Sequence, residues 1–505
     1  MSIFLLPTIL DSIEDNDHSI CFKMSKNIPD VIVSHSLYET LCQTKIKIGK
    51  NDLTWDNYKK ITNPFEFIHT IIPGYKTQVS KLTPLSRSFY KMIEMSTVFN
   101  LCNNNVCENI NNHTGLLSDY VHNLTHNLHC ANEVDWYFNE SNYNDVVVNK
   151  NSNDLPKDIN YFSSVFKNKN TKYENKQNIK PNNFLDSSKE TENCENILLN
   201  EKLDSDCECK LNYHSQNKFK SFHLAEGPGG FIEAIAHLRN NKNDEYYGMT
   251  LINNDAKCPG WKNSKRFLED NLNVTIEKGV DNTGNLLSQE NFLYCYQKYK
   301  NSMNLVTGDG GIDFSEDFNN QEYIATKLII VQVVYALAIQ SNDGNFVLKV
   351  FDTFSNTMID ILYLLSSLYK SVYIMKPQTS RSANSEKYII CKGYNLNENK
   401  ERIHCIIEKI YNNFHHLNSE LYIETIFNFK YSRTFISKIE EMNIIIGKKQ
   451  IDNIICTLNL MMNKKFDKID YYKKKHIQKC IMWCENFNIS FNKNLKSTNI
   501  FLSST

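Results

Sequence analysis

From residue 218 to about 395 the chain alternates between two hydrophobic patterns. Short runs rich in β-branched and aromatic residues (SFHLA, EYYGMTL, VTIEKGV, MNLVTGD, GNFVLKVF, SVYIMK and EKYIICKGY) predict strands. Between them, FIEAIAHL, QEYIATKLIIVQVVYALAIQ and NTMIDILYLLSSLY place apolar residues at three-to-four spacing and predict helices. Strand and helix in alternation predict an α/β fold, a mostly parallel sheet with helices on both faces. The last run, ending in KYIICKGY, predicts the antiparallel edge hairpin common in such sheets.

The flanking regions read differently. Residues 1–100 mix short apolar runs with turns and end in a predicted helix, SRSFYKMIEMSTVF. Residues 101–217 form an asparagine-rich, partly flexible insertion; from about 140 onward Asn, Lys and Ser dominate without apolar periodicity, so no core could form there. The α/β domain spans 218–400. Residues 401–505 carry helical patterns (ERIHCIIEKIYNNF, KKQIDNIICTLNLMMNKK, YYKKKHIQKCIMWCENFNI) and read as an α-rich module. The sequence shows no internal repeat.

Composition narrows the function classes. The 505 residues, 41% hydrophobic and 12% aromatic, can fill two or three cores. A formal net charge of -1 excludes a global basic field, so a nucleic-acid site would have to be a local patch. Fifteen cysteines without regular spacing point to reduced thiols. MSIFLLPTILDSIEDND lacks the basic start and cleavage site of a signal peptide, and the longest apolar stretch is interrupted by Lys327 and short of a membrane span. The expectation is a soluble intracellular protein of the nucleus or cytoplasm, with no membrane partner.

The segment FHLAEGPGGFIEAIAHL, 222–238, runs from a strand through glycines into a helix. Such a turn lets backbone approach a ligand, with the helix N-terminus facing it. By itself it fits dinucleotides, phosphates, S-adenosylmethionine (SAM) or mere packing. It does not continue as G-x-G-x-x-G, and no acid ends the second strand, which disfavours a dinucleotide dehydrogenase. In an open parallel sheet, ligands sit beyond the carboxyl ends of the strands. Polar residues fall there: Asp309 in LVTGDGG, Lys349 in FVLKVFD, and Glu386 opening SEKYIICKGY. Singly, each has an ordinary alternative, as turn former, snorkelling lysine or surface acid.

Taken together, EGPGGFIEA, LVTGDGG, FVLKVFD and KPQTSRSANSEKYIICKGY resemble the FtsJ-type RNA ribose 2'-O-methyltransferases, and most of all the mRNA-cap members of eukaryotes and large DNA viruses. The resemblance covers 218–395 and touches LSRSFYKMIEM upstream. It implies a Rossmann-like SAM-dependent methyltransferase sheet and a Lys-Asp-Lys-Glu tetrad, here Lys91, Asp309, Lys349 and Glu386. Lys218 and Lys220 are the other candidates for the first lysine. For SAM it implies the loop Glu226, Gly227, Pro228, Gly229, Gly230 and Phe231, with Thr250 after the second strand, Asp281 after the third, and Asp309. Asn285 stands where cap-type relatives carry an aspartate. Implied partners are RNA, capped mRNA foremost, and the capping or transcription machinery. An rRNA-like ribose methyltransferase and an inactive RNA-binding subunit are the competing readings.

The residue types suit that chemistry. A ribose hydroxyl is a poor nucleophile and needs a base at the moment of attack. A lysine can serve only when neutral; burial and a neighbouring ammonium favour that form, and carboxylates oppose it. The expected reaction is in-line attack of the 2'-oxygen on the SAM methyl, with Lys349 as base.

Three further features stand apart. His122, His126, His129 and Cys130 have helical spacing but read as accidental, as do Cys207 and Cys209, so no metal is expected. The run NKKFDKIDYYKKKHIQK, 463–479, interleaves lysines with Phe466, Tyr471 and Tyr472, and 76–88 is a second basic patch; each is either a nucleic-acid contact or a solvated face. No aromatic pair can be singled out for a cap guanine.

Overall fold

The computed structural model describes residues 1–9, 20–49, 53–102, 218–253, 260–311, 319–463 and 466–495. All belong to one unit, Met1–Ser141 with Lys218–Thr505. His122, His126, His129, Cys130, Cys207, Cys209 and nearly all of the asparagine-rich segment lie outside the described residues.

In chain order the elements are β1 (Ser2–Leu5), β2 (Ile20–Ser25), α1 (His35–Ile46), α2 (Leu53–Thr62), α3 (Ser88–Phe99), β3 (Lys220–Leu224), α4 (Gly230–Arg239), β4 (Glu245–Met249), α5 (Lys265–Asp270) and β5 (Val274–Glu277). They continue as α6 (Gln289–Tyr299), β6 (Met303–Gly308), α7 (Gln321–Ile339), β7 (Gln340–Val350), α8 (Asn356–Leu368), β8 (Tyr369–Lys376) and β9 (Lys387–Tyr394). After α9 (Lys400–Asn412) and α10 (Phe414–Leu417) come β10 (Tyr422–Phe427), α11 (Arg433–Asn463) and α12 (Phe466–Asn486).

Eight strands among the described residues form one sheet in the order β1-β8-β9-β7-β6-β3-β4-β5. From β7 to β5 neighbouring strands run parallel. β9 is antiparallel to both β7 and β8, and β1 pairs antiparallel with β8 beyond the hairpin. The apolar start of the chain is thus a strand. This is a Rossmann-like methyltransferase sheet, with the order of parallel strands reversing between β3 and β6. That switch point opens a crevice at the carboxyl ends of both.

Alternation along the strands sorts residues between two cores. Phe346, Leu348 and Val350 of β7 join one core with Phe222, Val306, helices α6 to α9 and α11. Val347 joins the other with Leu305, Tyr388, Ile390, α3, α4 and α12. Lys349 shares the parity of Val347, and so lies toward the face covered by α3. α7 is long and apolar enough by composition to cross a membrane, but 83% of its apolar window is buried inside the protein. A mostly apolar helix is what this core position calls for, with only Ile324, Lys327 and Leu328 partly exposed. The helices after residue 400 pack onto N-terminal elements: α11 lies against α1 and α2, and β10 pairs with β2.

Candidate active site

Helix α3 supplies one wall. Arg87, Lys91 and Glu94, spaced by four and three residues, fall on one face. Glu94 is fully buried and accepts from the backbone N–H of Gln378 (2.5 Å) and Thr379 (3.2 Å) and from the Thr379 hydroxyl (3.0 Å). That face is therefore docked onto the turn 377–386, which leads into β9. The far side of the turn is held by Lys376, whose buried Nζ donates to the carbonyls of Asn384 and Glu386, each at 2.7 Å.

Docking brings the four tetrad candidates together. Lys91 Nζ lies 2.7 Å from Glu386 Oε1, and Lys349 Nζ lies 3.2 Å from Asp309 Oδ1 and donates to the Asp309 carbonyl at 2.8 Å. Tyr388 joins the two pairs. Its ladder partner is Lys349, it accepts from Lys91 Nζ at 3.3 Å, and its hydroxyl donates to Asp309 Oδ1 at 3.1 Å. Ser380 Oγ donates to Glu386 Oε1 at 2.9 Å. Gly311 lies beside the amine: a Cβ there would sit 3.1 Å from Lys349 Nζ. Lys218 and Lys220 lie elsewhere, both paired with Glu245 near the amino end of β3.

Electrostatics separates the groups. Burial pushes the Lys91 ammonium below its ordinary value; Glu386 opposes that shift, and Arg87 adds to it. Burial alone would raise the Glu386 carboxyl, but Lys91, Lys349 and Arg87 outweigh it and hold Glu386 well below the usual carboxylate range. Burial also brings Lys376 down to about 7, against the pull of Glu386. Beside the tetrad, Arg381 grips buried Glu66 through Nη2 (2.6 Å) and Nε (3.0 Å), and Arg87 Nη1 stands 3.7 Å from the same carboxylate. Burial pushes Glu66 up, yet the two arginines, Arg381 foremost, hold it at about 2.

Each glycine of the 227–230 turn answers to a protein contact. A Cβ on Gly227 would meet the Gly260 carbonyl at 2.7 Å, and Gly229 has φ +112°. A Cβ on Gly230 would come within 2.2 Å of both the Ser86 and Ser88 hydroxyls, so its bareness lets α4 abut the start of α3. Pro228 offers its carbonyl to the Ser264 hydroxyl, and the Phe231 ring is buried near Tyr388 at 6.0 Å. Glu226 caps α4, its Oε1 accepting from Phe231 N (2.8 Å) and Ile232 N (3.1 Å). Its Oε2 is buried without a partner, as is the indole Nε1 of Trp261 beside the same turn. Burial, aided by nearby Asp309, raises Glu226 well above its usual range against those two helix N–H bonds. An orphaned acceptor and an orphaned donor flanking the turn fit a ligand carrying both kinds of polar group, such as the amino-acid end of SAM.

The other cofactor candidates have local partners. Thr250 is buried, its methyl group 3.1 Å from where a Gly227 Cβ would stand. Asp281 Oδ1 accepts from Thr283 N (2.9 Å), Thr283 Oγ1 (2.7 Å) and Asn291 Nδ2 (2.9 Å). Asn285 Oδ1 accepts from Leu287 N at 3.0 Å, again shaping the loop. Glu277, the acid at the end of β5, is spent on Lys298, Tyr299 and two backbone N–H groups. Among the described residues, no group of three or more His, Cys, Asp or Glu is placed to hold a metal.

Residues 206–394 match the sequence pattern of the FtsJ-like methyltransferases. The chain carries an FtsJ-like methyltransferase domain. Similar curated proteins include the cap-specific mRNA (nucleoside-2'-O-)-methyltransferase 2 of Pongo abelii, 28% identical over 272 residues, 52% of this chain and 34% of that protein. The enzyme of the same name from Drosophila melanogaster is 34% identical over 209 residues, 37% of this chain and 29% of its own. The human cap-specific mRNA (nucleoside-2'-O-)-methyltransferase 1 is 32% identical over 177 residues, 34% of this chain and 21% of its own. The match thus spans about a third or less of these relatives. The FtsJ-like domain contains Asp309, Lys349 and Glu386, while Lys91 reaches it from α3, outside the matched segment.

Reading the sequence singled out the four charged groups but not what fixes them. Tyr388, Arg381 and Lys376 sit inside or beside the motif KPQTSRSANSEKY, and Arg87 and Glu94 inside SRSFYKMIE, where each could have been read as part of the pattern. Glu66 gave no signal; only the fold brings it to both arginines.

Proposed function

We propose that the protein transfers the SAM methyl to a ribose 2'-hydroxyl of RNA, the acceptor being the first or second transcribed nucleotide of a capped mRNA. The reading is supported by one arrangement above all: Lys91–Glu386 and Lys349–Asp309, joined through Tyr388 beside the Glu226 turn at the sheet's switch point. SAM supplies an electrophilic sulfonium methyl. With the cofactor bound, Lys349 in its neutral form would take the proton of the 2'-hydroxyl as that oxygen displaces the sulfur from the methyl, the C–O bond forming as the C–S bond breaks and a neutral thioether leaves; Asp309 orients the amine through its carboxylate and carbonyl. Lys91 and Glu386 form the opposite wall, with Lys91 Nζ donating to the Tyr388 oxygen. Glu226 Oε2 and Trp261 Nε1 would hold the cofactor's amino-acid end. Its substrate would place the enzyme in the nucleus or cytoplasm, alongside the capping or transcription machinery.

The test is to offer labelled SAM with capped, uncapped and rRNA-like transcripts and to map the methyl by nuclease digestion. Label confined to the first or second nucleotide of capped RNA is the expected result. Cap-independent label would replace the cap reading with a general RNA ribose methyltransferase, and RNA binding without transfer would refute an enzyme altogether.

A further inference from the structure

We propose that α12 and the turn around Tyr75 form a docking track for single-stranded RNA leading to the Lys91 side of the site; this rests on the RNA methyltransferase reading above. Two basic stretches nearly four hundred residues apart in sequence are joined in the fold. Lys473 Nζ lies over the Tyr75 ring at 5.9 Å, and Lys81 N donates to the Ser490 carbonyl at 2.9 Å. Asn492 Nδ2 donates to Thr77 Oγ1 at 2.9 Å.

Helix α12 has two faces. His476, Ile477, Cys480, Ile481, Trp483 and Cys484 are buried. The outer face carries Lys468, Tyr471 and Lys474, with Lys475 Nζ 5.7 Å from the Tyr471 ring. Exposed rings punctuate the lysines: Phe466 is 84% exposed, Tyr471 50% and Tyr75 47%. Lys76, next to Tyr75 in the chain, and Lys81 are exposed. Rings interspersed with ammonium groups suit bases that stack and phosphates that pair. With a net charge of -1 on the whole chain, attraction for a polyanion has to be local. Asp470 tempers it, pairing with Lys473 and Lys474 at 2.9 Å each.

The track reaches the site by two routes. Along the chain, Tyr75, Lys76, Lys81 and Arg87 lead directly to Lys91. Across the fold, Trp483 on the buried face of α12 donates to Glu94 Oε2 at 3.4 Å, and Glu94 lies one turn beyond Lys91.

The experiment compares the full chain with the triple variant Lys76→Ala, Lys468→Ala, Lys474→Ala. Binding of a labelled single-stranded RNA of about twenty nucleotides, longer than one compact single-strand site, is followed by fluorescence anisotropy across a salt series. Methylation of capped RNAs of that length is compared with methylation of a capped RNA of a few nucleotides. Each lost phosphate contact should flatten the slope of log affinity against log salt by about 0.7, so the triple variant should lose about two. Its ratio of kcat/KM on long over short RNA should fall, and Asp470→Asn should tighten binding. If the wild type methylates capped RNA but the triple variant keeps the wild-type slope and ratio, the track is wrong and the enzyme reading survives. A wild type that methylates RNA with no salt-dependent gain from length also overturns the track, leaving the surface to an acidic protein. A wild type that neither binds nor methylates RNA overturns both.

Discussion

Glu386→Gln isolates the buried ion pair at the centre of the site. The substitution keeps the size of the side chain and an acceptor for Ser380, but strips the charge that Lys91 meets at 2.7 Å. Both partners are almost sealed, their side chains 6% and 11% exposed. Removing one member of such a pair costs about 3–5 kcal/mol, because the other is left charged and unpaired. Lys91 can escape only by releasing its proton. From an ordinary lysine value of 10.5, that release costs about 4.8 kcal/mol at pH 7 and about 2 kcal/mol at pH 9, at 1.36 kcal/mol per pH unit. The sign follows: the unfolded chain binds more protons than the folded variant between the lowered Lys91 value and 10.5, so stability rises with pH across that window. Urea unfolding should give a loss of about 3–5 kcal/mol at pH 7 that shrinks toward pH 9, because Glu386 raises the Lys91 value in the wild type and the variant lacks that support. The double variant Lys91→Met, Glu386→Gln should be more stable at pH 7 than Glu386→Gln alone. A loss under about 1 kcal/mol at pH 7, or one equal at both pH values, would refute a buried charge pair.

Lys349→Met should cut single-turnover methyl transfer by at least about 10²–10⁴-fold, the usual worth of a positioned base, while calorimetry shows SAM affinity within a few-fold of wild type; persistent turnover would remove Lys349 as the base. Glu226→Gln keeps the cap on Phe231 N and Ile232 N but cannot become an anion, so SAM should bind at least about tenfold more weakly, some 1.4 kcal/mol, at nearly unchanged Tm. Because burial raises the Glu226 carboxyl well above its usual value, wild-type SAM binding should release a proton, seen as a buffer-dependent calorimetric heat that the Gln variant lacks. Gly230→Ala drives a methyl into the Ser86 and Ser88 hydroxyls at 2.2 Å and should destabilise by about 1–3 kcal/mol while lowering turnover; unchanged unfolding would mean that α3 and α4 are not tightly abutted.

The α/β sheet was legible because buried parallel strands read as dense apolar runs and their crossovers keep a helical period. β1 and β10 were not: four- and six-residue strands at a sheet margin carry too little pattern to separate from loop. Lys349 stood out because a lysine inside an apolar strand breaks the pattern, and Asp309 and Glu386 because acids fall at strand ends, just after β6 and just before β9. Glu66 did not, since its role comes from a contact across 315 residues. The position of Lys91, so far ahead of the glycine turn in sequence, has a physical basis at the two chain ends that face residues 103–217. Arg239 Nη1 donates to the Cys102 carbonyl at 2.8 Å, while its partner Asp244, 2.7 Å from Arg239 Nε, accepts from Phe219 N at 2.9 Å. One sealed ion pair thus clasps the chain where it leaves α3 and where it enters β3, and Glu233 accepts from Leu85 N at 2.7 Å to fix the other end of α3. With both ends clasped, the length between them enters only as closure entropy, about (3/2)RT ln n. Replacing residues 103–217 by a Gly/Ser linker roughly ten times shorter should therefore leave the fold and the Lys91–Glu386 pair intact, with stability unchanged or raised by up to about 2 kcal/mol. Arg239→Ala should lower stability more in the full-length chain than in the shortened one, because the longer connection depends more on the clasp. A shortened chain that unfolds, or that binds SAM yet loses turnover as Lys91→Met does, would show that Lys91 is positioned by the intervening residues and not by the Arg239–Asp244 clasp.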